Sequence, residues 1–284
     1  MIDLNLQRQY FSEEIQICAN VRSAALVDAL AVVPREQFLP PGPWVIRSEG
    51  DVGAGRRTTP GADPRHVYHN ISVAIDPDRQ LFNGGPMVVA PSIDALGLNA
   101  GHRVLHIGCG LGYYTALMAH IVGPTGRVFA LEVDEALAKK ATSNLAAFEW
   151  VEVRHGDGTE PWRENVHAIF VHAGVTHPLD AWLDGLTAGG RLVLPITASM
   201  PQMGPISKGF AFLITKNGAE VFDAAPLNLL AIYTASGLRD ESLNSAIGAA
   251  LMKGPFPRVK RLRRDSHESG PACWLHGPTV CLGM

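Results

Sequence analysis

Three short segments have the residue types and spacing needed to hold a small ligand. In the first, Val104-Leu105-His106-Ile107 runs into Gly108-Cys109-Gly110-Leu111-Gly112-Tyr113. An apolar run that breaks at glycines and resumes as helix-forming residues reads as strand, turn and helix, with the glycines admitting a ligand close to the backbone. A dinucleotide turn, GxGxxG, would need its last glycine where Tyr113 stands. The tighter GxGxG favours a nucleoside with an amino-acid tail over a pyrophosphate. Glu132, twenty residues beyond Gly112 and followed by Val133, ends a second apolar run. A carboxylate there can accept both hydroxyls of a ribose. Gly156-Asp157-Gly158 follows a third run, where the aspartate can accept a hydrogen bond from an adenine amino group. Taken singly, each has a plainer reading: a structural glycine turn, a strand-end carboxylate, a turn aspartate. In series at strand ends, the edge where open α/β sheets bind ligands, they favour a nucleoside site.

The side facing a second substrate is less defined. His172 ends a fourth apolar run and is the candidate general base, with His177 close behind in the next loop. Either could equally be a histidine bonded to backbone. Asn83, in Gln80-Leu81-Phe82-Asn83-Gly84-Gly85-Pro86, could orient a carboxylate or the amino-acid end of a cofactor through its amide, or Gly84-Gly85-Pro86 could be a turn before a helix starting near Met87. His69 and Asn70 are further candidates.

Positioning these residues requires alternating strands and helices. The pattern predicts strands at Arg103–Ile107, Arg127–Val133, Val151–Arg154, Ala168–Val171 and Arg191–Leu194. Helices are expected at Tyr113–Val122, Ala136–Phe148 and Leu179–Leu186. That alternation implies a parallel sheet with right-handed crossovers. Residues 1–35 are helical in pattern, and 46–79 are rich in loop residues. The Gly/Pro-rich stretch 53–64 reads either as a mobile lid or as a poorly ordered insertion. The last third carries β-like runs at Phe210–Thr215 and Leu227–Tyr233, a helix over Glu241–Met252, and a hairpin near Trp274 and Cys281. The expected fold is α/β: a Rossmann-like, seven-stranded, mostly parallel sheet with N- and C-terminal additions. The expected division is 1–95 as a cover on the substrate side, 96–200 as the cofactor core and 201–284 as an α+β addition completing the sheet.

Composition sets further bounds. With 46% hydrophobic and 18% charged residues, the 284-residue chain can fill a large core. A net charge of −3 provides no general attraction to nucleic acid or an anionic membrane. The basic run Arg258, Lys260, Arg261, Arg263 and Arg264 reads as a solvated strand face. The four cysteines, Cys18, Cys109, Cys273 and Cys281, do not make a disulfide framework. No pair has CxxC spacing, so no metal is expected, and Cys273 and Cys281 are read as reduced thiols. Without a signal-like N-terminus or a long apolar run, the protein is expected in the cytoplasm, as a monomer or homodimer.

The chain resembles the protein-L-isoaspartate O-methyltransferases over roughly residues 20–200. The resemblance rests on Val33-Pro34-Arg35-Glu36-Gln37-Phe38-Leu39-Pro40, on Gly108–Gly112, Gly156-Asp157-Gly158 and Ala168–Val171, and on Leu186-Thr187-Ala188-Gly189-Gly190-Arg191-Leu192-Val193-Leu194-Pro195. It implies S-adenosylmethionine as cofactor and methyl transfer to a peptide or protein carboxylate. It places Gly108, Gly110 and Gly112 at the methionine portion, Glu132 at the ribose, and Asp157 with Gly158 at the adenine. Two positions depart from the family. A serine-bearing stretch at its methyl-transfer centre corresponds to Gln80–Val88, where Asn83-Gly84-Gly85 stand instead, and His106 occupies a position that is usually acidic. The lost hydroxyls predict that isoaspartyl peptides are repaired poorly or not at all. Other readings are a small-metabolite N- or O-methyltransferase with His172 as base, a non-catalytic cofactor-binding protein, and a nicotinamide-dependent oxidoreductase, disfavoured by the GxGxG spacing.

Overall fold

The computed structural model describes residues 3–48, 56–160, 162, 164–200, 202, 204–252 and 258–284. Residues 53–55 of the expected lid stretch lie outside that set. The chain begins with α1 (Leu4–Cys18) and α2 (Ala24–Val32), started by Asp3 and Ser23, whose side chains accept from the Asn5 and Leu26 amides. Pro34 ends α2 by forcing Val33 into extended backbone, and a short 3-10 turn, Arg35–Phe38, follows.

The region read as loop-rich is more regular than expected. Strands β1 (Val45–Arg47), β2 (Arg57–Thr58), β3 (Ser72–Asp76) and β4 (Leu81–Phe82) form an antiparallel sheet in the order β2-β1-β3-β4. They are only two to five residues long and join residues far apart in sequence, so no local pattern announces them. Helix α3 (Pro86–Ala95) then leads into the core, with Pro86 in the first turn, where a missing N–H costs nothing.

The core alternates as predicted: β5 (Arg103–Ile107), α4 (Tyr113–Val122), β6 (Arg127–Glu132), α5 (Glu135–Asn144), β7 (Val151–His155), β8 (Val166–Val171), α6 (Asp180–Gly185) and β9 (Leu186–Ser199). Long strands β10 (Ile206–Thr215) and β11 (Val221–Tyr233) follow, then α7 (Glu241–Met252), β12 (Arg261–Arg263), β13 (Cys273–His276) and β14 (Cys281–Gly283). All but the first four strands join one sheet, ordered β13-β14-β12-β11-β10-β9-β8-β5-β6-β7. From β7 to β9 it is parallel, and from β9 to β13 antiparallel. The α/β class is as expected. The sheet has ten strands rather than seven, because β10 and β11 fold back as hairpins and three short C-terminal strands extend the edge. Strand β9 also starts earlier than predicted, at Leu186, with an irregularity before its regular pairing resumes at Arg191.

Adjacent residues of the core strands face opposite layers. Val104, Val128, Ala168 and Val193 pack with α1 to α5, whereas Leu105, Phe129, Ile169 and Leu192 pack with Trp182, Leu183 and Ile247 of α6 and α7. Within the basic run Arg258, Lys260 and Arg261 are exposed, whereas Arg264 pairs with Asp184 at 2.6 Å and lies 3.5 Å from Asp180 and from Glu220, and Arg263 pairs with Asp265. Among the described residues, no helix is long and apolar enough to cross a membrane.

One cation joins the segment after α2 to the segments flanking the small sheet. Arg35, with 0% exposure, donates from Nη1 to the carbonyls of Val67 (2.7 Å) and His69 (3.1 Å) and from Nη2 to that of Ile71 (2.7 Å). Its neighbour Glu36 accepts from Arg8 at 2.8 Å and from the Tyr68 hydroxyl. Arg35→Ala strands the buried carbonyls of Val67 and Ile71 and should destabilise the chain by roughly 3 kcal/mol or more. Urea denaturation should show this as a lower midpoint with an unchanged slope.

Candidate active site

A cavity of about 520 Å³ opens at the carboxyl ends of β5, β6 and β7, within the size range of small-molecule sites. Gly108, Cys109 and Gly110 border it from the turn after β5, Tyr113 from the start of α4, Glu132 and Val133 from the end of β6, and Gly156 and Asp157 from the turn after β7. His172 borders it at the end of β8 and Asn83 just after β4. Ten of the twelve predicted residues therefore meet around one space.

Gly112 and Gly158, expected among the cofactor-binding residues, do not line this cavity. Both have positive φ, +94° and +78°. A Cβ at Gly112 would lie 2.8 Å from Leu145, and one at Gly158 would lie 2.9 Å from Ile107. They are glycines because the core leaves no room, and their effect is to aim the turns that reach the cavity. Three other candidates also lie elsewhere. His177 is bonded to the Thr176 hydroxyl, His69 is exposed, and Asn70 accepts from the Met87 amide in the first turn of α3.

The acidic residues are set by backbone. Glu132 is buried, with Oε2 accepting from Gly110 N–H at 2.7 Å and Oε1 from Asp134 N–H at 3.1 Å. Burial raises its pKa while these amide contacts oppose the rise. One carboxylate thus shapes the glycine turn and keeps lone pairs for a ligand. Asp157 Oδ1 accepts from the amide and hydroxyl of Thr159, contacts that lower its pKa and keep it ionised, and Oδ2 has no protein donor among the described residues. Burial raises the Cys109 thiol, so it stays protonated and is no nucleophile.

Asn83 has a defined orientation. Its Oδ1 accepts from the Val73 amide at 3.0 Å and from Arg35 Nη2 at 3.5 Å, so the other end is the amide nitrogen. That Nδ2 is buried without a partner among the described residues. Arg47 also borders the cavity, a residue the sequence reading passed over because it sat in the supposed loop. Its guanidinium lies 4.4 Å from the centre of the Phe82 ring and donates to Gln80, and no described carboxylate pairs with it. Arg79 instead pairs with Asp76 at 2.7 Å and with Asp134, tying the small sheet to the start of α5 across the mouth.

His172 is held by rings rather than by hydrogen bonds. Phe170 stacks on it at 5.1 Å, His106 at 5.8 Å, and Tyr114 meets it edge-on at 5.4 Å. Burial lowers its pKa from 6.5 to about 4. It is neutral at pH 7, with no carboxylate partner among the described residues. His106 is fully buried, bonded to Thr115 at 2.8 Å, and lowered in the same sense.

A ten-stranded α/β sheet with a glycine turn, a strand-end glutamate and an aspartate at one edge defines the Rossmann-like methyltransferase class. The family model described as protein-L-isoaspartate(D-aspartate) O-methyltransferase matches residues 59–219. A protein-L-isoaspartate O-methyltransferase of Methylorubrum extorquens (strain PA1) is 32% identical over 234 residues, covering 80% of this chain and 89% of its own. One from Opitutus terrae is 30% identical over 219 residues, covering 75% and 80%. A Plasmodium falciparum structure of that designation, in complex with S-adenosyl-L-homocysteine, superposes with a TM-score of 0.61. It spans 81% of this chain and 98% of its own at 16% identity, a likeness of fold. The chain belongs to the protein-L-isoaspartate O-methyltransferase family.

Titration follows from the two buried histidines. The unfolded rings protonate near 6.5, whereas the folded His172 ring stays neutral down to about 4 and burial lowers His106 in the same direction. The unfolded chain thus binds more protons in this window, and stability should fall as pH drops from about 6.5 toward 4. Thermal midpoints across this range and the NMR titration of His172 check the claim; a folded His172 titrating near 6.5 contradicts it.

Proposed function

We propose that this enzyme transfers the methyl group of S-adenosylmethionine to a carboxylate on a peptide or protein, the isoaspartyl side chain being the acceptor its family name indicates. The residues around the cavity fit the cofactor by their donor and acceptor types. Glu132 suits the ribose hydroxyls and Asp157 the adenine amino group. Gly108 and Gly110 carry the backbone that faces the amino-acid end, Val133 and Tyr113 supply apolar wall, and Gly156 and Cys109 complete the turns. Bound there, S-adenosylmethionine supplies an electrophilic methyl on a sulfonium.

The observation that carries the acceptor assignment is the pairing of available donors with a missing base. Asn83 Nδ2 and the Arg47 guanidinium lack a carboxylate partner among the described residues, and His172 has a pKa of about 4. An ionised carboxylate needs donors to align it and no base to deprotonate it. An amine or hydroxyl acceptor needs the reverse, which disfavours the small-metabolite reading with His172 as base. Asn83 supplies an amide donor where the family's serine supplies a hydroxyl, so alignment of the acceptor is kept and its donor group is exchanged.

Radiolabelled S-adenosylmethionine with an isoaspartyl peptide should give a base-labile ester; stable label on amines would overturn the assignment. Arg47→Ala should raise the acceptor KM about 10- to 100-fold, the loss of one charge-assisted hydrogen bond, while leaving S-adenosylhomocysteine affinity unchanged. Glu132→Ala should do the opposite, weakening S-adenosylhomocysteine by a similar factor in calorimetry. His172→Phe should keep most of kcat with a carboxylate acceptor, whereas an acceptor that needs a base would lose about 100-fold.

A further inference from the structure

We propose that the C-terminal hairpin holds a structural zinc ion through His267, Cys273, His276 and Cys281. Their ligand atoms all lie within 4.8 Å of one another. A tetrahedral set with Zn–S near 2.3 Å and Zn–N near 2.0 Å needs separations of about 3.3–3.8 Å, a contraction that rotamer changes supply. Two thiolates with two imidazoles are the donor set zinc prefers, and the set leaves no position open for a substrate. None of the four borders the methyl-transfer cavity, and all lie beyond residue 219, where the family match ends.

The backbone brings these side chains together in a way the linear spacing conceals. Cys273 and His276 are three apart in β13, so a regular strand would send them to opposite faces. The register of β13 against β14 shifts between Cys273 and Leu275, and that irregularity brings both to one face. Cys281 is the direct cross-strand partner of His276. His267 arrives from the loop after β12, its ring 4.8 Å from that of His276 at 78°. The expectation of no metal counted only cysteine pairs; here each cysteine is joined by a histidine.

Two details are those of ligands rather than of packed side chains. His267 Nδ1 lies 2.9 Å from the Asp265 carbonyl, which can only accept, so Nδ1 carries the proton and Nε2 presents its lone pair. That Nε2 lies 3.8 Å from Cys273 Sγ. His276 Nδ1 is buried with no hydrogen-bond partner among the described residues. Binding replaces the two thiol protons, which leave to solvent, with Zn–S bonds, and both imidazoles coordinate neutral. Strands β12, β13 and β14 have only three or four residues each, so an edge with few ladder bonds would gain a cross-link.

The test is the metal content of the full-length chain purified under reducing conditions, read by plasma mass spectrometry, with Co²⁺ substitution as a second readout. One Zn²⁺ per chain and intense thiolate–Co²⁺ visible bands are expected. Cys273→Ser with Cys281→Ser should lose both, and His267→Cys, which keeps four ligands, should retain metal. Chelation should raise alkylation of Cys273 and Cys281 severalfold while leaving buried Cys109 unchanged. Should the serine variant fail to fold, wild-type Co²⁺ spectra and alkylation decide alone. A reduced wild-type chain that takes up neither metal, or one isolated with a Cys273–Cys281 disulfide, overturns the proposal.

Discussion

The buried Arg35 guanidinium is the contact on which the arrangement of the site depends. A cation removed from water needs acceptors for its donors, and here three carbonyls and the Asn83 side chain serve the two terminal nitrogens, while Nε has no partner among the described residues. Those partners come from Val67 to Ile71, ahead of β3, and from the segment after β4, so one charge ties the start of β3 to the end of β4. The Tyr68 hydroxyl extends the network, accepting from Arg8 and from the Arg35 amide and donating to Glu36. By holding Oδ1 of Asn83, the same network determines that the amide nitrogen is left for a ligand.

The cavity therefore has two halves with different origins. The sheet half is made of turns at strand ends, where Glu132 bonds the Gly110 amide and so shapes the surface it borders. The covering half is carried by short strands that rely on Arg35 and on the Arg79 bridge to Asp134. An adjoining cavity of about 540 Å³ shares Ser72, Gly84, His172, Ala231 and Ile232 with the first, so the site continues toward β10 and β11. His172 stands between the two as an aromatic wall, kept neutral by the burial that would make it a poor base.

The same logic separates the two ends of the sheet. At the parallel end, helices on both faces supply burial, and apolar contacts suffice. At the antiparallel edge the strands are short, and beside the buried Leu262, Leu275 and Leu282 polar side chains with metal-ligand chemistry gather. Arg264 is drawn into the same edge by three carboxylates, so the run that reads as a free basic face is balanced at that end.

Local patterns in the sequence determined the core elements, since 2- and 3.6-residue periodicities and glycine punctuation act over a few residues. The helix Tyr113–Val122 and the strand Arg103–Ile107 carry the bounds their patterns predict, and Glu132 and Asp157 stand where strand ends place them. What the sequence could not determine depended on partners distant in the chain. Gly112 and Gly158 are as prominent in the motifs as Gly108, yet only packing against Leu145 and Ile107 separates their task from binding. Arg47, the small antiparallel sheet and the orientation of Asn83 came from contacts across tens of residues. The joining of Cys273, His276 and Cys281 with His267 came from a strand irregularity, a shift of register that residue spacing does not record.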